Sequence, residues 1–504
     1  MSGAAELRDI GGNPVATGSE ALDFILAGGY AANRIHLVEG EPGSGKTTLG
    51  FQFLLSGAQV GEPCLYVTLS ESRDELLHVA STHGWDLTGI DLFELIPPEL
   101  SLDPKREQSI IHSSDLELGE TVKMVMAEVE RRKPSRIVFD SLSEIRLLAQ
   151  GPLRFRRQVL ALKHYFAQRN ATVLFLDDLT QADDDLSLHS LAHGVVRLEQ
   201  QAPAYGAERR RLRVFKMRGR AFQGGFHDFV IRTGGVEIFP RLVAASHPDE
   251  GRELVSARSG LNELDELSGG GLDYGTANLI VGPSGSGKTT VAMQYVHAGL
   301  KQGEKALFIS FDETARVFER RAAGIGIDIA PFQESGSFTF RQVDPAELTP
   351  GELAGIIRSH VDAGVSMVVL DSLSGYQHAM PHEQFLLLQM HEIVTYLNQQ
   401  GVLTFLILTQ AGMVGHMRSP IDLTYLSDTV VLLRFFEAEG EIRRAMSIIK
   451  KRTGAHEPTI RELRIGDGGL QVGPKLAGFR GVLTGTPNYA GTAALLEEKT
   501  DQRR

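Results

Sequence analysis

Two stretches of this sequence have the residue types and spacing to hold a polyphosphate: Gly40-Glu41-Pro42-Gly43-Ser44-Gly45-Lys46-Thr47-Thr48 and Gly282-Pro283-Ser284-Gly285-Ser286-Gly287-Lys288-Thr289-Thr290. Both fit G-x-x-x-x-G-K-[ST], and both fall between a predicted strand and a predicted helix, the context that gives this pattern a mechanism. Gly43, Gly45, Gly285 and Gly287 let the loop's backbone N–H groups face phosphate oxygens, with Ser44, Thr48, Ser286 and Thr290 in the same loops. The following helix adds its N-terminal dipole. Lys46 and Lys288 are expected to reach the β and γ phosphates, and Thr47 and Thr289 to place a hydroxyl on Mg²⁺. A single match can be an accidental glycine-rich turn; two in register point to ATP and Mg²⁺.

Hydrolysis needs carboxylates beside such loops. Ile137-Val138-Phe139-Asp140-Ser141 and Val368-Val369-Leu370-Asp371-Ser372 each end an apolar run on an aspartate. At the carboxyl edge of a parallel sheet, Asp140 and Asp371 would hold Mg²⁺ through water; the alternative for either alone is a helix cap. Glu71, after Ser70, and the pair Asp312-Glu313 follow the next apolar run and are candidates to orient and deprotonate an attacking water. Their competing role is as helix-start carboxylates. Late in each half comes a basic cluster, Lys216-Met217-Arg218 and Lys450-Lys451-Arg452. In a ring of subunits Lys216, Arg218, Lys450 and Arg452 would neutralise γ-phosphate charge across an interface; without a ring they are solvated surface charge.

The elements that must position these residues repeat as well. Lys46 and Lys288 are 242 residues apart (288 − 46), and the same offset carries Gly18 to Gly260, Asp23 to Asp265 and Glu71 to Glu313. Asp140 returns as Asp371, an offset of 231 (371 − 140), so small length differences intervene. A repeat this long means two domains. Segments 34–38, 65–69, 136–139 and 173–176 read as buried strands, as do 278–281, 306–309, 367–370 and 403–408. Near-continuous apolar strands between amphipathic stretches imply an α/β fold, each half a mostly parallel sheet flanked by helices. The small, polar and proline residues of 242–251 place the boundary at about residue 248, giving domains 1–247 and 248–487. A short polar tail, 488–504, reads as flexible.

Composition narrows the function classes. At 504 residues the chain exceeds what one core usually serves. The net charge of −12 gives no general pull towards nucleic acid. Cys64, the one cysteine, can form neither an intramolecular disulfide nor a zinc site and reads as core packing. With no apolar run of membrane-spanning length and no secretory pattern at the N-terminus, a cytoplasmic location is expected.

Together with Asp-Ser-Leu-Ser at 140–143 and 371–374, Phe215-Lys216-Met217-Arg218-Gly219, 427–433, 439–445 and 479–487, these features make the sequence resemble the KaiC clock ATPases of the RecA/DnaB superfamily across nearly its whole length. The resemblance implies two tandem RecA-like P-loop domains. It further implies a double-ringed homohexamer with ATP between subunits, a slowly hydrolysing first ring and a second ring that phosphorylates its own serine and threonine side chains. Carried onto this sequence, Glu71 is the first-lobe base, and Asp312 and Glu313 form the second-lobe pair, with Asp312 where a glutamate is usual. The acceptor segment gives Thr424 and Ser427 as candidate hydroxyls, with Tyr425 at the family's threonine position. His378 stands where an interfacial arginine is often seen. A KaiB-like protein is the implied partner; after Pro487 nothing matches the segment that KaiA acts on, so no KaiA-type activator is expected. Two other classes compete: a DNA-acting RecA-type motor, and a scaffold that binds ATP mainly to assemble.

Overall fold

The computed structural model describes residues 13–95, 114–149, 151–179, 186–203, 206–243, 255–379, 386–410, 423–438, 440–482 and 488–489. Two compact units emerge, Met1–Arg241 and Leu242–Arg504. The expected boundary at residue 248 lies outside the described residues, as does the tail beyond Tyr489. Asn488 and Tyr489 themselves pair with Arg480 and Phe479 as a two-residue ribbon.

In the first unit the sheet strands are β1 Ile35–Gly40, β2 Cys64–Thr68, β3 Ile90–Glu94, β4 Arg136–Asp140, β5 Thr172–Asp178, β6 Gly194–Gln201, β7 Arg209–Met217, β8 Phe226–Arg232 and β9 Gly235–Phe239. Their spatial order is β9-β8-β7-β6-β1-β5-β4-β2-β3. Strands β1 to β6 pair in parallel, while β7, β8 and β9 extend the sheet as an antiparallel ribbon. The second unit repeats this plan with β10 Ala277–Gly282, β11 Ala306–Ser310, β12 Phe338–Gln342, β13 Met367–Asp371, β14 Leu403–Thr409, β15 Thr429–Ala438, β16 Glu441–Lys451, β17 Arg461–Gly466 and β18 Gly469–Lys475. Its order, β12-β11-β13-β14-β10-β15-β16-β17-β18, is the same topology.

Alternation along the parallel strands sends side chains to two separate cores. Val38, Tyr66, Val138 and Leu174 pack on one face of the first sheet, and Leu37, Leu65, Ile137 and Phe175 on the other. The second sheet divides Ile280, Phe308, Val369 and Phe405 from Leu279, Leu307, Val368 and Leu406 in the same way. Covering both faces is what a parallel sheet requires, and it explains why the strands carry few polar residues. Cys64 is part of the first core; burial pushes its thiol up to about 11, so it packs as an apolar residue.

Helices that matter for the sites are α1 Lys46–Gln59, α2 Arg73–Thr82, α3 Pro152–Ala167, α4 Lys288–Lys301, α5 Ala315–Gly324 and α6 Leu386–Gln399. Helices α1 and α4 begin directly on the lysine of each glycine-rich loop, after Gly45 and Gly287 at φ 99° and 101°. That left-handed conformation favours glycine, and space closes the argument. A Cβ on Gly45 would lie 2.8 Å from Ile231 Cδ1 of β8, and one on Gly287 2.4 Å from Ile465 Cδ1 of β17. The antiparallel ribbon therefore presses on the loop that leads into the helix.

Candidate nucleotide sites

All the carboxylates singled out in the sequence emerge at the carboxyl edge of a sheet, where β1 and β10 run into the glycine-rich loops. In the first lobe Thr47 Oγ1 donates to Asp140 Oδ2 at 3.2 Å, and the Tyr66 hydroxyl donates to the same oxygen at 2.5 Å. In the second, Thr289 Oγ1 donates to Asp371 Oδ2 at 2.6 Å. Burial raises the carboxyl pKa of both aspartates above the usual range despite these hydrogen bonds. A desolvated carboxylate next to a threonine hydroxyl fits a hard cation with oxygen ligands, as Mg²⁺ demands. The Ser44 and Ser286 hydroxyls are buried without a partner inside the loops, which fits loops built to close around phosphate oxygens.

The lysines differ between lobes. Lys46 Nζ donates to Gly40 O at 3.0 Å and Glu41 O at 2.9 Å, and forms an ion pair with Asp178 Oδ1 at 2.7 Å. Asp178 reaches it because Gly40 and Asp178 are register partners at the ends of β1 and β5. In the second lobe Gly282 is paired with Thr409, so no acid occupies that place. Lys288 Nζ donates to Pro283 O at 2.9 Å, and burial lowers its pKa to about 8, with Asp371 opposing the shift.

The water-activating candidates are positioned alike and partnered differently. Glu71 N–H donates to Thr68 Oγ1, and Glu313 N–H to Ser310 Oγ, each at 3.0 Å, which fixes the two glutamates as equivalents beyond β2 and β11. Glu71 Oε2 is buried with no hydrogen-bond partner. Burial first, then the Asp140, Glu75 and Asp178 carboxylates, raise its pKa. Glu313 is instead gripped by both arms of Arg321 from α5, at 3.0 and 2.6 Å. Asp312 Oδ2 accepts from Ser372 Oγ at 2.7 Å.

The basic clusters do not gather at these loops. Arg218 N–H donates to His193 O at 3.0 Å, and His193 N–H to Ile35 O at 2.8 Å, so Arg218 sits at the amino edge of the sheet, where β1 begins. Gly40 ends that strand; at ~3.3 Å per residue the loop is about 17 Å away. Lys216 Nζ donates to the carbonyls of His189 and Ala192, and Arg218 to Ser190 O at 2.6 Å. The second lobe copies this: Lys450 Nζ donates to Thr424 O at 2.6 Å and Ser427 O at 2.7 Å, and Arg452 to Tyr425 O at 2.8 Å. Ser427 is fully buried and its hydroxyl donates to Leu423 O at 3.1 Å, which leaves no room for a phosphoryl group in this state. Thr424 is exposed, and Tyr425 is 54% exposed. His378 lies in a short helix whose side chain at that position falls outside the described residues.

Four partners escaped the sequence reading. Asp178 had a usable signal, because Asp177-Asp178 ends an apolar strand just as Asp140 does. Ser372 lies in the repeated Asp-Ser-Leu-Ser pattern, which marks the position but not its bond to Asp312; Tyr66 and Arg321 act through spatial contact alone and had no signal.

The family described as "ATPase: KaiC" matches residues 15–243 and 257–477. The chain is 28% identical to the circadian clock oscillator protein KaiC of Parathermosynechococcus lividus over 511 aligned positions, covering 99% of this chain and 92% of that protein. It is 26% identical to the circadian clock protein KaiC3 of Synechocystis sp., covering 94% of each. It is 25% identical to the KaiC of Synechococcus elongatus, covering 96% of this chain and 93% of that protein. With both glycine-rich loops, both strand-end aspartates and both nine-stranded sheets inside the matched residues, this chain belongs to the KaiC ATPase family.

Proposed function

We propose that the chain is a KaiC-like timer or signalling ATPase that binds ATP at both lobes and hydrolyses it chiefly at the first. Glu71 carries this reading: its raised pKa and unpartnered, buried Oε2 leave it able to take a proton from water, whereas Glu313 is occupied by Arg321. Mg²⁺ between Thr47 and Asp140, and between Thr289 and Asp371, would offset phosphate charge. Lys46 would exchange Asp178 for phosphate oxygens, and Lys288, near Asp371 but without an ion pair among the described residues, would gain a direct counter-charge. Lys216, Arg218, Lys450 and Arg452 are too far from their own loops and would face nucleotide held by another copy, which supports a hexameric ring. Turnover by Glu71→Gln and Glu313→Gln variants, each with nucleotide occupancy measured in parallel, tests this reading. Equal losses in the two variants would sink it.

Autophosphorylation of the second lobe is the finer part of the proposal, with Thr424 as acceptor because it is exposed where Ser427 is enclosed. Incubation with γ-labelled ATP followed by mass spectrometry checks it; absence of label from residues 424–429 refutes it. A KaiB-like partner and a cytoplasmic setting follow from the family resemblance. Among the described residues no helix is long and apolar enough to cross a membrane.

A further inference from the structure

The strand-end aspartates of the two lobes are held by different partners. Tyr66 of β2 is the register partner of Val138 in β4, and Thr68 that of Asp140, so Tyr66 and Asp140 stand on the same face of adjacent strands. The phenol ring runs along the sheet towards its carboxyl edge and puts its hydroxyl on Asp140 Oδ2 at 2.5 Å. That ring cannot swing away, because it is wholly buried and lies stacked on Phe51 at 4.7 Å. Thr47 and Phe51 are one turn apart in α1 and share a helix face. Thr47 meets Asp140 while Phe51 braces Tyr66, so the carboxylate, its two donors and the brace pack as one unit. Both donors take Oδ2, which leaves Oδ1 as the oxygen turned to other partners.

The second lobe lacks the phenol. Phe308 pairs with Val369 as Tyr66 does with Val138, and the offset of 242 carries Phe51 to Met293. Phe308 packs instead against Phe318 and Phe340. Among the described residues Thr289 is then the side chain that donates to the Asp371 carboxylate, and Asp371 is partly exposed where Asp140 is buried. A carboxylate can meet a cation through one oxygen or through both. Ca²⁺ accepts either arrangement in a site of variable shape, whereas Mg²⁺ demands a near-ideal octahedron and keeps several waters. Asp140 could offer both oxygens only by giving up a short hydrogen bond to a charged group, which is costly in a buried site.

We propose that Tyr66 is a specificity-determining positioning residue of the first lobe: by holding Asp140 Oδ2 it confines the carboxylate to one-oxygen contact, and the first site therefore selects Mg²⁺ over the larger Ca²⁺ more strongly than the second. This selectivity rests on the reading that a divalent cation lies between Thr47 and Asp140, and adds which ions that place admits. Asp371, free to turn on its single threonine donor, admits both more evenly.

The test reads metal binding without turnover. Mn²⁺ is the probe, since it shares the oxygen sites that suit Mg²⁺ and Ca²⁺, and free Mn²⁺ is followed by electron paramagnetic resonance. The full chain carrying Lys288→Ala is loaded with a non-hydrolysable ATP analogue, freed of excess nucleotide and titrated; the first-site signal is the part that a further Lys46→Ala substitution removes. Mg²⁺ and Ca²⁺ then compete, and the ratio of their displacing concentrations is compared between variants, so that the preference of the nucleotide phosphates themselves cancels. Tyr66→Phe, which supplies the residue of the second lobe, should lower the preference for Mg²⁺ at least about fivefold, as for loss of a hydrogen bond to a charged group. A second measurement needs no change at Tyr66: the second site, read in Lys46→Ala chains, should be the less selective of the two. An unchanged ratio in Tyr66→Phe, or a second site at least as selective as the first, overturns the proposal. Absence of any nucleotide-dependent Mn²⁺ binding at the native first site would instead overturn the cation reading on which it rests.

Discussion

Lys46 Nζ lies 2.7 Å from Asp178 Oδ1, and the second lobe has Thr409 where that aspartate would be. The first phosphate loop therefore has an internal carboxylate competing with nucleotide for its lysine. Lys46 is buried and Asp178 only partly exposed, so the pair is worth on the order of 1 kcal/mol, or about fivefold in affinity, once desolvation of both groups is set against their attraction. Asp178→Thr, in a Lys288→Ala background, should bind a fluorescent ADP analogue about fivefold more tightly. Looser binding would mean that Asp178 serves the nucleotide instead of opposing it.

Glu71→Gln removes a candidate water-activating carboxylate whose buried Oε2 has no hydrogen-bond partner. Steady-state hydrolysis by the full chain should fall by about 10² to 10⁴ with ATP binding unchanged, the range for a positioned general base. Glu313→Gln should change total hydrolysis less than threefold by the same logic, since its carboxylate is already held by Arg321.

Freeing Glu313 gives a complementary result. Arg321→Ala leaves that carboxylate without its fork of hydrogen bonds, so phosphate incorporation at Thr424, or hydrolysis at the second site, should rise. A fall in both would instead identify Arg321 as part of the phosphate-handling machinery. Lys46→Ala chains, which silence the first site, provide the background for this measurement.

Proton linkage distinguishes the second phosphate loop. Lys288 titrates at about 8 without nucleotide, so at pH 8 it is half protonated. Polyphosphate beside it restores the ammonium. Binding of ADP and Mg²⁺ by a Lys46→Ala chain should take up about half a proton at pH 8 and approach one at pH 9, through linkage. Calorimetry in buffers of different ionisation heat reads this directly.

His36 gives the first lobe a weakness towards acid. It is fully buried, its Nε2 lies 3.0 Å from Ala31 O, and burial lowers its pKa to about 3. The folded state therefore holds the neutral ring, while the unfolded chain takes a proton below about pH 6.5. Stability is full above pH 6.5 and falls as the pH drops from there towards 3. At pH 5 the loss is about 2 kcal/mol. Asn278 occupies the matching place in β10, and His36→Asn should flatten the acid dependence of first-lobe unfolding, followed by circular dichroism at pH 5 and 7.

Much of this was legible from residues alone, for a physical reason. The loops at 40–48 and 282–290 and the aspartates at 140 and 371 are local patterns: a strand, a turn and a helix start within a few residues of each other. The same holds for the eight buried parallel strands, because sheets covered on both faces write themselves as short apolar runs. What stayed hidden was pairing across long separations. Nothing in the sequence marks Arg321 as the partner of Glu313, or Tyr66 as a second donor to Asp140. The basic clusters were legible as charge but not as placement, since only the antiparallel return of β7 and β16 puts them at the far edge of the sheet.

Lys450 and Arg452 hold the backbone of residues 424–427 by its carbonyl oxygens. These three bonds do not depend on which side chains stand at 424 and 425. Lys450 lies in β16 and Arg452 just past its end, so the segment is tied to the strand that pairs with β15 through main-chain atoms that every residue type supplies.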